Sequence, residues 1–221
     1  MKAAVIVFPG SNCDRDIKCA LLDAGAKVEL VWHKNTDLPY RTDLVAIPGG
    51  FSFGDYLRCG AIAAHSPICH SIIEFAGRGG HVIGICNGFQ ILTETDLLPG
   101  ALILNSCLKF LCKSVDLRVN TNSSIFTGKY DKEQIISMPI AHHEGNYKAS
   151  PDDIQRMQDN DLIAFKYVNT PNGATGDIAG ILSANRRILG MMPHPERAFD
   201  PILGGTDGKP IFAGLMDGFI S

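Results

Sequence analysis

The chain of 221 residues lacks the features that mark several large protein classes. Its 20 lysines and arginines stand against 23 acidic residues, so there is no basic excess of the kind that binds nucleic acid or anionic lipid. No apolar run approaches the roughly 20 residues of a membrane-spanning helix. The N-terminal run, Ala3 to Phe8, is too short for a signal-peptide core. These absences predict a cytoplasmic protein whose partners are small molecules or other proteins.

Cysteine and glycine patterns exclude further classes. The seven cysteines are scattered without a C-x-x-C pair, so neither a disulfide framework nor a zinc knuckle is indicated, and reduced thiols are expected. The dinucleotide-binding pattern G-x-G-x-x-G and the Walker A pattern are both missing. Because no repeat, low-complexity tract or linker divides the chain, we expect one domain over residues 1–221.

The first half of the chain alternates strand and helix patterns. Ala3–Phe8, Val28–Trp32 and Leu44–Ile47 are short apolar runs, typical of strands covered on both faces. A helix with a capping-box pattern at Ser11–Asp14 joins the first two strands. A further helix is expected over Ala61–Phe75, in which a proline either starts a new turn or kinks the helix. Such alternation favours an α/β sheet with parallel strands.

The second half reads mainly as consecutive strands. Serial strands without intervening helices predict an antiparallel extension of the parallel sheet, with helices only at Pro151–Asp159 and Pro210–Ile220. The predicted fold is therefore α/β, with a central, mostly parallel sheet flanked by helices and an antiparallel β extension. The strands are expected near Ala101–Leu104, Leu108–Val119, Gln134–Ala141, Leu162–Val168, Ile178–Ser183 and Ile188–Met192.

One stretch carries the pattern of a reactive thiol. An apolar strand ends at Cys86 and a helix pattern begins just after it, so Gly84-x-Cys86-x-Gly88 matches the cysteine form of the nucleophile elbow. Side chains at the two glycine positions would clash across so tight a turn. A thiol at a helix N-terminus is also favoured as the thiolate. On this pattern alone, an ordinary buried cysteine at a strand end fits equally well.

A second stretch supplies the partners that a thiol nucleophile needs. His194-Pro195-Glu196 follows a predicted strand, and in an extended segment residues two apart point the same way. The thiol requires a base, and the base requires an acceptor that holds its tautomer. Alone, the tripeptide reads as a solvated turn. Together with the elbow, it predicts a catalytic Cys86, His194 and Glu196.

These motifs resemble those of the triad-type, class I glutamine amidotransferases, which have a flavodoxin-like fold. The resemblance runs nearly end to end. It rests on Pro9-Gly10-Ser11-Asn12-Cys13-Asp14, on the run from Gly49 to Gly60, on Cys86-Asn87-Gly88-Phe89-Gln90-Ile91-Leu92 and on Met192-Pro193-His194-Pro195-Glu196-Arg197.

The resemblance implies a role for each matched residue. Cys86 is expected to attack the side-chain amide of L-glutamine, and the backbone N–H groups of Gly50 and Asn87 to form the oxyanion hole. His194 is expected to act as acid and base, with Glu196 orienting it. Gln90 is expected to help hold the substrate, and the chain is expected to need no metal or cofactor of its own.

The resemblance also implies partners. It is strongest to glutaminase subunits that act with a large synthetase subunit, on which ATP and Mg are expected, and with a small accessory subunit. Asp55, Tyr56 and Arg58 follow the Gly49-Gly50 loop and are either an ordinary polar loop or a segment ordered on docking.

One position departs from the family pattern. The family usually has glycine where this chain has His143, in Pro139-Ile140-Ala141-His142-His143-Glu144-Gly145. A glycine there would allow a positive φ, so the histidine puts the geometry of that loop and the partner interface in question. The adjacent pair of histidines without a third ligand does not make a metal site.

Three alternatives remain open on the sequence. Another elbow-cysteine hydrolase, such as a peptidase or a small-molecule deglycase, often has histidine after the cysteine, whereas this chain has Asn87. A non-catalytic regulatory subunit would have no need of Cys86, His194 and Glu196 together. An α/β ligand-binding protein with an incidental cysteine would not require the paired His-x-Glu and the Gly-Gly loop.

Overall fold

A nine-stranded sheet forms the centre of the structure, a computed structural model that describes residues 1–219. The sheet runs in the order β2-β1-β3-β4-β11-β10-β9-β6-β7, while β5 and β8 form a separate antiparallel pair. The strands in chain order are β1 (Lys2–Val7), β2 (Lys27–Trp32), β3 (Leu44–Ile47), β4 (His81–Ile85), β5 (Ala101–Ile103), β6 (Leu111–Val119), β7 (Ile135–His142), β8 (Asn146–Lys148), β9 (Ile163–Tyr167), β10 (Ile178–Leu182) and β11 (Ile188–Met191).

The sheet has a parallel and an antiparallel part, as predicted. The strands from β2 to β11 in the sheet order are mutually parallel. Every pairing from β11 outward to β7 is antiparallel. All residues of β3 and β11 are buried, which explains their continuous apolar sequences. The predicted fold class is confirmed.

Six helices surround the sheet within residues 1–219. The helix α1 (Asp14–Asp23) contacts α6 (Lys209–Gly218), and α2 (Ala61–Ala64) contacts α4 (Asn87–Glu94), the helix that follows Cys86. None of the helices described is long and apolar enough to cross a membrane. The helices are α1 (Asp14–Asp23), α2 (Ala61–Ala64), α3 (Pro67–Gly77), α4 (Asn87–Glu94), α5 (Pro151–Asp159) and α6 (Lys209–Gly218).

Three local predictions need correction. The expected helix over 61–75 is two helices, and Pro67 is the first residue of the second, where its missing N–H costs nothing. The expected capping box does not form: α1 begins after Cys13 without a side-chain cap, and the Ser11 hydroxyl instead accepts from the N–H of Phe8 at 3.1 Å. The short strand β8 was not predicted. The terminal helix was expected to reach Ile220, which lies outside the described residues.

The topology brings three loops to one edge of the sheet. Because β1, β3 and β4 are parallel neighbours, the segments that follow their carboxyl ends meet there, which is where open α/β sheets bind ligands. These segments begin at Phe8, Pro48 and Cys86. The antiparallel strand β7 and the segment after β11 reach the same place, since the N–H of His194 donates to the carbonyl of Pro139 at 2.8 Å.

Because α4 packs closely on the end of β3, we expect a side chain at Gly88 to destabilise the fold and a side chain at Gly77 to be tolerated. A Cβ on Gly88 would overlap the Ile47 carbonyl oxygen, whereas a Cβ on Gly77 would meet no atom within 4 Å. We therefore expect Gly88→Ala to lower the free energy of unfolding by at least about 2 kcal/mol. The matched control Gly77→Ala should leave it unchanged or raise it by up to about 1 kcal/mol. Urea denaturation of both variants measures the difference, and equal stabilities would contradict the close approach.

Candidate active site

The backbone at Cys86 forms a sharp elbow between β4 and α4. Cys86 has φ 52° and ψ −106°, a conformation that is unfavourable for a residue with a side chain. Hydrogen bonds hold it in place: its N–H donates to the carbonyl of Met191 at 2.8 Å, and its own carbonyl accepts from Phe89 at 3.0 Å and Gln90 at 3.2 Å. The thiol is thereby fixed at the N-terminus of α4, where the helix dipole favours an anion.

The predicted reason for the two elbow glycines holds in the structure. A Cβ on Gly84 would stand 2.5 Å from Leu92 Cδ1 and 2.7 Å from the carbonyl carbon of Gly88. A third glycine, Gly49, is equally constrained, because its Cβ would stand 2.7 Å from Cε1 of His194 and 3.4 Å from Cβ of Cys86. Glycine at these positions is what allows the loop, the thiol and the imidazole to converge.

His194 and Glu196 form a buried pair. Nδ1 of His194 donates to Oε1 of Glu196 at 2.5 Å, and the two residues are 1% and 0% exposed. The expected reason for their pairing was wrong: the backbone from Pro195 to Arg197 is a turn of 3-10 helix, not an extended segment. Pro195 is the first residue of that turn, and the turn brings the Glu196 carboxylate within hydrogen-bond distance of the imidazole.

The electrostatics of the pair favour a charged imidazole. Burial lowers the pKa of His194, but the Glu196 carboxylate and the thiols of Cys86 and Cys13 more than offset it, so the pKa lies well above its ordinary value. The raised pKa of His194 thus favours the protonated imidazole in the cavity that Cys86 also lines. The Cys86 thiol is 5% exposed and also contacts the Ala141 carbonyl at 3.6 Å.

The residues predicted for the oxyanion hole flank the elbow. Gly50 lines the same cavity as Cys86 and His194. The N–H of Asn87 is at the first position of α4, where helical N–H groups have no partner within the helix. The Asn87 side chain is occupied, because its Oδ1 accepts from the N–H of Ser52 at 3.2 Å. These contacts tie the loop that follows β3 to the elbow.

Gln90, predicted to hold the substrate, bonds to protein groups at both ends of its amide. Its Oε1 accepts from Nδ2 of Asn87 at 2.9 Å, and its Nε2 donates to the carbonyl of Glu144 at 2.6 Å. In this structure Gln90 therefore connects the elbow helix with the loop after β7. Its contact with a substrate remains a prediction.

The cavity above Cys86 includes residues for which the sequence analysis gave no role. Arg197 bonds to Asp16 and donates from Nη2 to the Cys13 sulfur at 3.1 Å. The signal for Cys13 was its place in the loop between β1 and α1, which leaves the ligand-binding edge of the sheet. The cavity lining also includes Phe51, Phe110 and Ala141.

The two adjacent histidines have different environments. His142 is buried, its Nδ1 lies 3.1 Å from Oδ1 of Asn105, and burial together with the charge on His194 lowers its pKa to about 4. His143 is exposed, has no positive φ, and places its Nε2 3.4 Å from the carbonyl of Leu108. The loop thus accommodates histidine at the family glycine position without backbone strain.

A buried thiol on a strand-to-helix elbow, next to an imidazole held by a carboxylate, defines a class of enzymes that attack a carbonyl carbon through cysteine. The comparison with protein families agrees with that class. Residues 1–205 match the CobB/CobQ-like glutamine amidotransferase domain. The chain belongs to this family of glutamine amidotransferases.

Relatives within the family are similar over nearly the whole chain. The phosphoribosylformylglycinamidine synthase subunit PurQ of Roseobacter denitrificans is 64% identical, with 97% of each chain covered. The subunit of the same name from Ruegeria sp. is 60% identical with the same coverage. A chain in the structure of PurLQS from Thermotoga maritima matches with a TM-score of 0.91 and 42% identity, over 99% of this chain and 98% of that one. The chain is thus a glutamine amidotransferase of the PurQ type.

The buried pair leads to a prediction about charge. Glu196→Gln removes the strongest influence that raises the pKa of His194, so that pKa should fall while burial continues to lower it. NMR titration of isotope-labelled histidine measures the change, and the spectrum of His194→Gln assigns the resonance. The matched control Glu94→Gln removes a carboxylate that pairs with Arg58 and should leave the titration of His194 unmoved. An unchanged pKa in Glu196→Gln would contradict the electrostatic account.

Proposed function

We propose that this chain hydrolyses L-glutamine to glutamate and ammonia through a Cys86 thioester, and passes the ammonia to a synthetase subunit. That subunit would use ATP and Mg to convert formylglycinamide ribonucleotide to its amidine in purine biosynthesis. The observation that carries the proposal is the buried Cys86, His194 and Glu196 arrangement in a chain of the PurQ type. All seven cysteines are unpaired, which suits the cytoplasm in which we place the enzyme.

The first half of the reaction uses the protonated imidazole. The Cys86 thiolate attacks the side-chain amide carbon of glutamine, and the carbonyl electrons move to oxygen. The N–H groups of Gly50 and Asn87 stabilise that oxyanion, a contribution worth about 10²–10³ in rate for each donor. When the tetrahedral intermediate collapses, the C–N bond breaks and His194 gives its proton to the departing nitrogen. Ammonia leaves and a glutamyl thioester remains on Cys86.

The second half uses the same imidazole as a base. His194, now neutral, takes a proton from water, whose oxygen attacks the thioester carbon. Collapse of the second tetrahedral intermediate breaks the C–S bond, releases glutamate and restores the thiolate beside a protonated imidazole. The Glu196 carboxylate holds the ring orientation in both halves through its bond to Nδ1.

The proposed docking surface for the synthetase includes two aromatic residues of the cavity lining and exposed apolar residues near them in sequence. The Phe51 and Phe110 rings pack with their centroids 6.3 Å apart and also line the cavity of Cys86. Exposed apolar residues at such a position are characteristic of interfaces. We call the exposed apolar residues of this surface the rim patch. It consists of Phe51, Tyr56, Leu57, Leu104, Leu108 and Phe110, of which Tyr56, Leu57 and Leu108 are 74%, 92% and 70% exposed.

The backbone of the segment from Phe51 to Leu57, which carries three residues of the rim patch, supports the same interpretation. Phe53, Asp55 and Leu57 all have positive φ values, between 54° and 69°. Residues with side chains are uncommon there, and such conformations concentrate at functional sites. Arg58, for which the sequence left a polar loop and a segment ordered on docking as alternatives, bonds to Glu94 of α4 through Nε and Nη2, each at 2.6 Å. It therefore anchors the loop, and the neighbouring Tyr56 and Leu57 are left to contact the synthetase and the small accessory subunit.

Covalent labelling tests the glutaminase proposal. A glutamine-mimicking diazoketone should alkylate Cys86, and excess L-glutamine should suppress the adduct, because both compounds compete for one thiol and one amide pocket. Peptide mass spectrometry locates the adduct. Cys86→Ser should remove it, while Cys19→Ser, which changes an exposed cysteine, should retain it.

The same labelling distinguishes the alternatives. An adduct on Cys86 that glutamine does not suppress would keep the nucleophile and overturn the glutamine assignment in favour of another cysteine hydrolase. Label distributed over the exposed cysteines, with the synthetase subunit present, would overturn the nucleophile as well. In the complete complex, Cys86→Ala should abolish synthesis from glutamine and leave synthesis from added ammonia intact.

Substitution in the rim patch tests the docking surface. Leu57→Asp places a charge on a 92% exposed leucine and should weaken binding to the synthetase subunit by about 1–3 kcal/mol if that side chain is buried on docking. Tyr40→Asp is the matched control, because Tyr40 is 80% exposed and its carbonyl accepts from Lys2, at the opposite end of β1 from the cavity. Calorimetric titration with the synthetase subunit measures both, and equal affinities would exclude Leu57 from the interface.

A further inference from the structure

A second thiol stands in the cavity, and the proposed mechanism gives it no task. Cys13 is 2% exposed and precedes α1. Its sulfur lies 3.1 Å from the point where a Cβ on Gly49 would stand, and the same point is 3.4 Å from Cβ of Cys86 and 2.7 Å from Cε1 of His194. The two cysteines and the imidazole therefore converge on one glycine.

The cluster has the donor atoms of a metal site. The Cys13 sulfur, a ring nitrogen of His194 and a carboxylate oxygen of Glu196 all lie within 4.8 Å of one another, and all three residues are buried. The Cys86 and Cys13 thiols both raise the pKa of His194. Within residues 1–219, Nε2 of His194 and Oε2 of Glu196 have no hydrogen-bond partner although both are buried. Nε2 of His194 is therefore a free ligand position, on a ring that lies near both cysteine side chains.

The chemistry of these donors selects the kind of ion. Thiolate and imidazole are the preferred ligands of Zn²⁺, with Zn–S near 2.3 Å and Zn–N near 2.0–2.1 Å, and they do not suit Mg²⁺ or Ca²⁺. Metal-binding histidines commonly donate their other N–H to a carboxylate, which fixes the ring for the metal. The bond from Nδ1 of His194 to Glu196 already has that form.

We propose that the cavity binds Zn²⁺ or a similar thiophilic divalent ion through the sulfurs of Cys13 and Cys86 and Nε2 of His194. Glu196 holds the histidine from behind, and the fourth position is open to water. The hydrogen bond from Arg197 to the Cys13 sulfur gives way when the ion binds. Since the ion occupies the nucleophile and the base, it is a reversible inhibitor of the site and not a cofactor, and Cys13 sets the affinity.

Cobalt serves as a spectroscopic probe that needs no substrate. The reduced, metal-free chain is titrated with Co²⁺ under nitrogen, and thiolate-to-cobalt charge-transfer absorption in the near ultraviolet is followed. The expected result is saturation at one ion per chain, with loss of the bands on addition of one equivalent of Zn²⁺. Because absorbance is the readout, failure of this experiment leaves the glutaminase proposal untouched.

Variants assign the ligands. Cys13→Ser and Cys86→Ser should each weaken cobalt binding at least about tenfold, more than the loss of an outer-shell partner usually costs, and reduce the charge-transfer intensity. The matched controls Cys107→Ser and Cys112→Ser alter exposed cysteines and should leave both unchanged. Circular dichroism of each variant, and diazoketone labelling of Cys86 in Cys13→Ser, establish that the cavity is formed.

Alkylation of the wild-type chain at Cys86 gives a test that needs no variant. Chain alkylated there with the diazoketone should bind cobalt at least about tenfold more weakly than unmodified chain. Charge-transfer bands that persist at full intensity in Cys13→Ser or in the alkylated chain would overturn the proposed site. Loss of the bands in Cys107→Ser or Cys112→Ser would overturn it too. Absence of charge-transfer bands in the wild type would overturn it as well.

Discussion

The site depends on the close approach of α4 to the end of β3. Gly88 sits against the Ile47 carbonyl, and this contact lets the chain turn so abruptly that Cys86 takes a positive φ. Such a conformation costs about 1–3 kcal/mol and persists only where its surroundings over-determine it. Here they do, because β4 lies between two parallel neighbours whose residues are all buried. The apolar core is thus the support for a strained backbone that carries the reactive thiol.

A chain of hydrogen bonds extends that support to the loops above the sheet. The N–H of Ser52 donates to Asn87, Asn87 donates to Gln90, and Gln90 donates to the Glu144 carbonyl. Ser52 lies between Gly50 and the rim-patch residues Tyr56 and Leu57 in the sequence. A partner bound to the rim patch would therefore contact the loop that carries Gly50. The proposed synthetase contact and the proposed oxyanion hole are therefore connected through neutral hydrogen bonds, each worth about 1 kcal/mol, with no need for a rearrangement of the core.

Much of this arrangement could be predicted from the sequence, for identifiable reasons. Continuous apolar strands and the Gly84-x-Cys86-x-Gly88 pattern are local signals, and they gave the sheet and the elbow. The turn at Pro195 was not predicted, because an extended and a 3-10 backbone both accept a proline. Cys13 was missed as a cavity residue because its position depends on which strands become neighbours. Gln90 shows the same limit: its motif is local, but its bond to Glu144 joins residues 54 positions apart.

The raised pKa of His194 fits the proposed amide substrate. Ammonia leaves a tetrahedral carbon only if its nitrogen gains a proton, so the enzyme needs an acid at the outset, and burial alone would leave the imidazole neutral. The Glu196 carboxylate supplies the compensating charge, and the adjacent sulfur adds to it. In the proposed reaction, the thiolate charge is gone once the proton has left with ammonia, because the sulfur is then bound in a thioester. The imidazole is then neutral and able to accept a proton from water. In that proposed reaction, one buried carboxylate serves an acid and a base in sequence, because covalent chemistry at the neighbouring sulfur changes the local charge between the two steps.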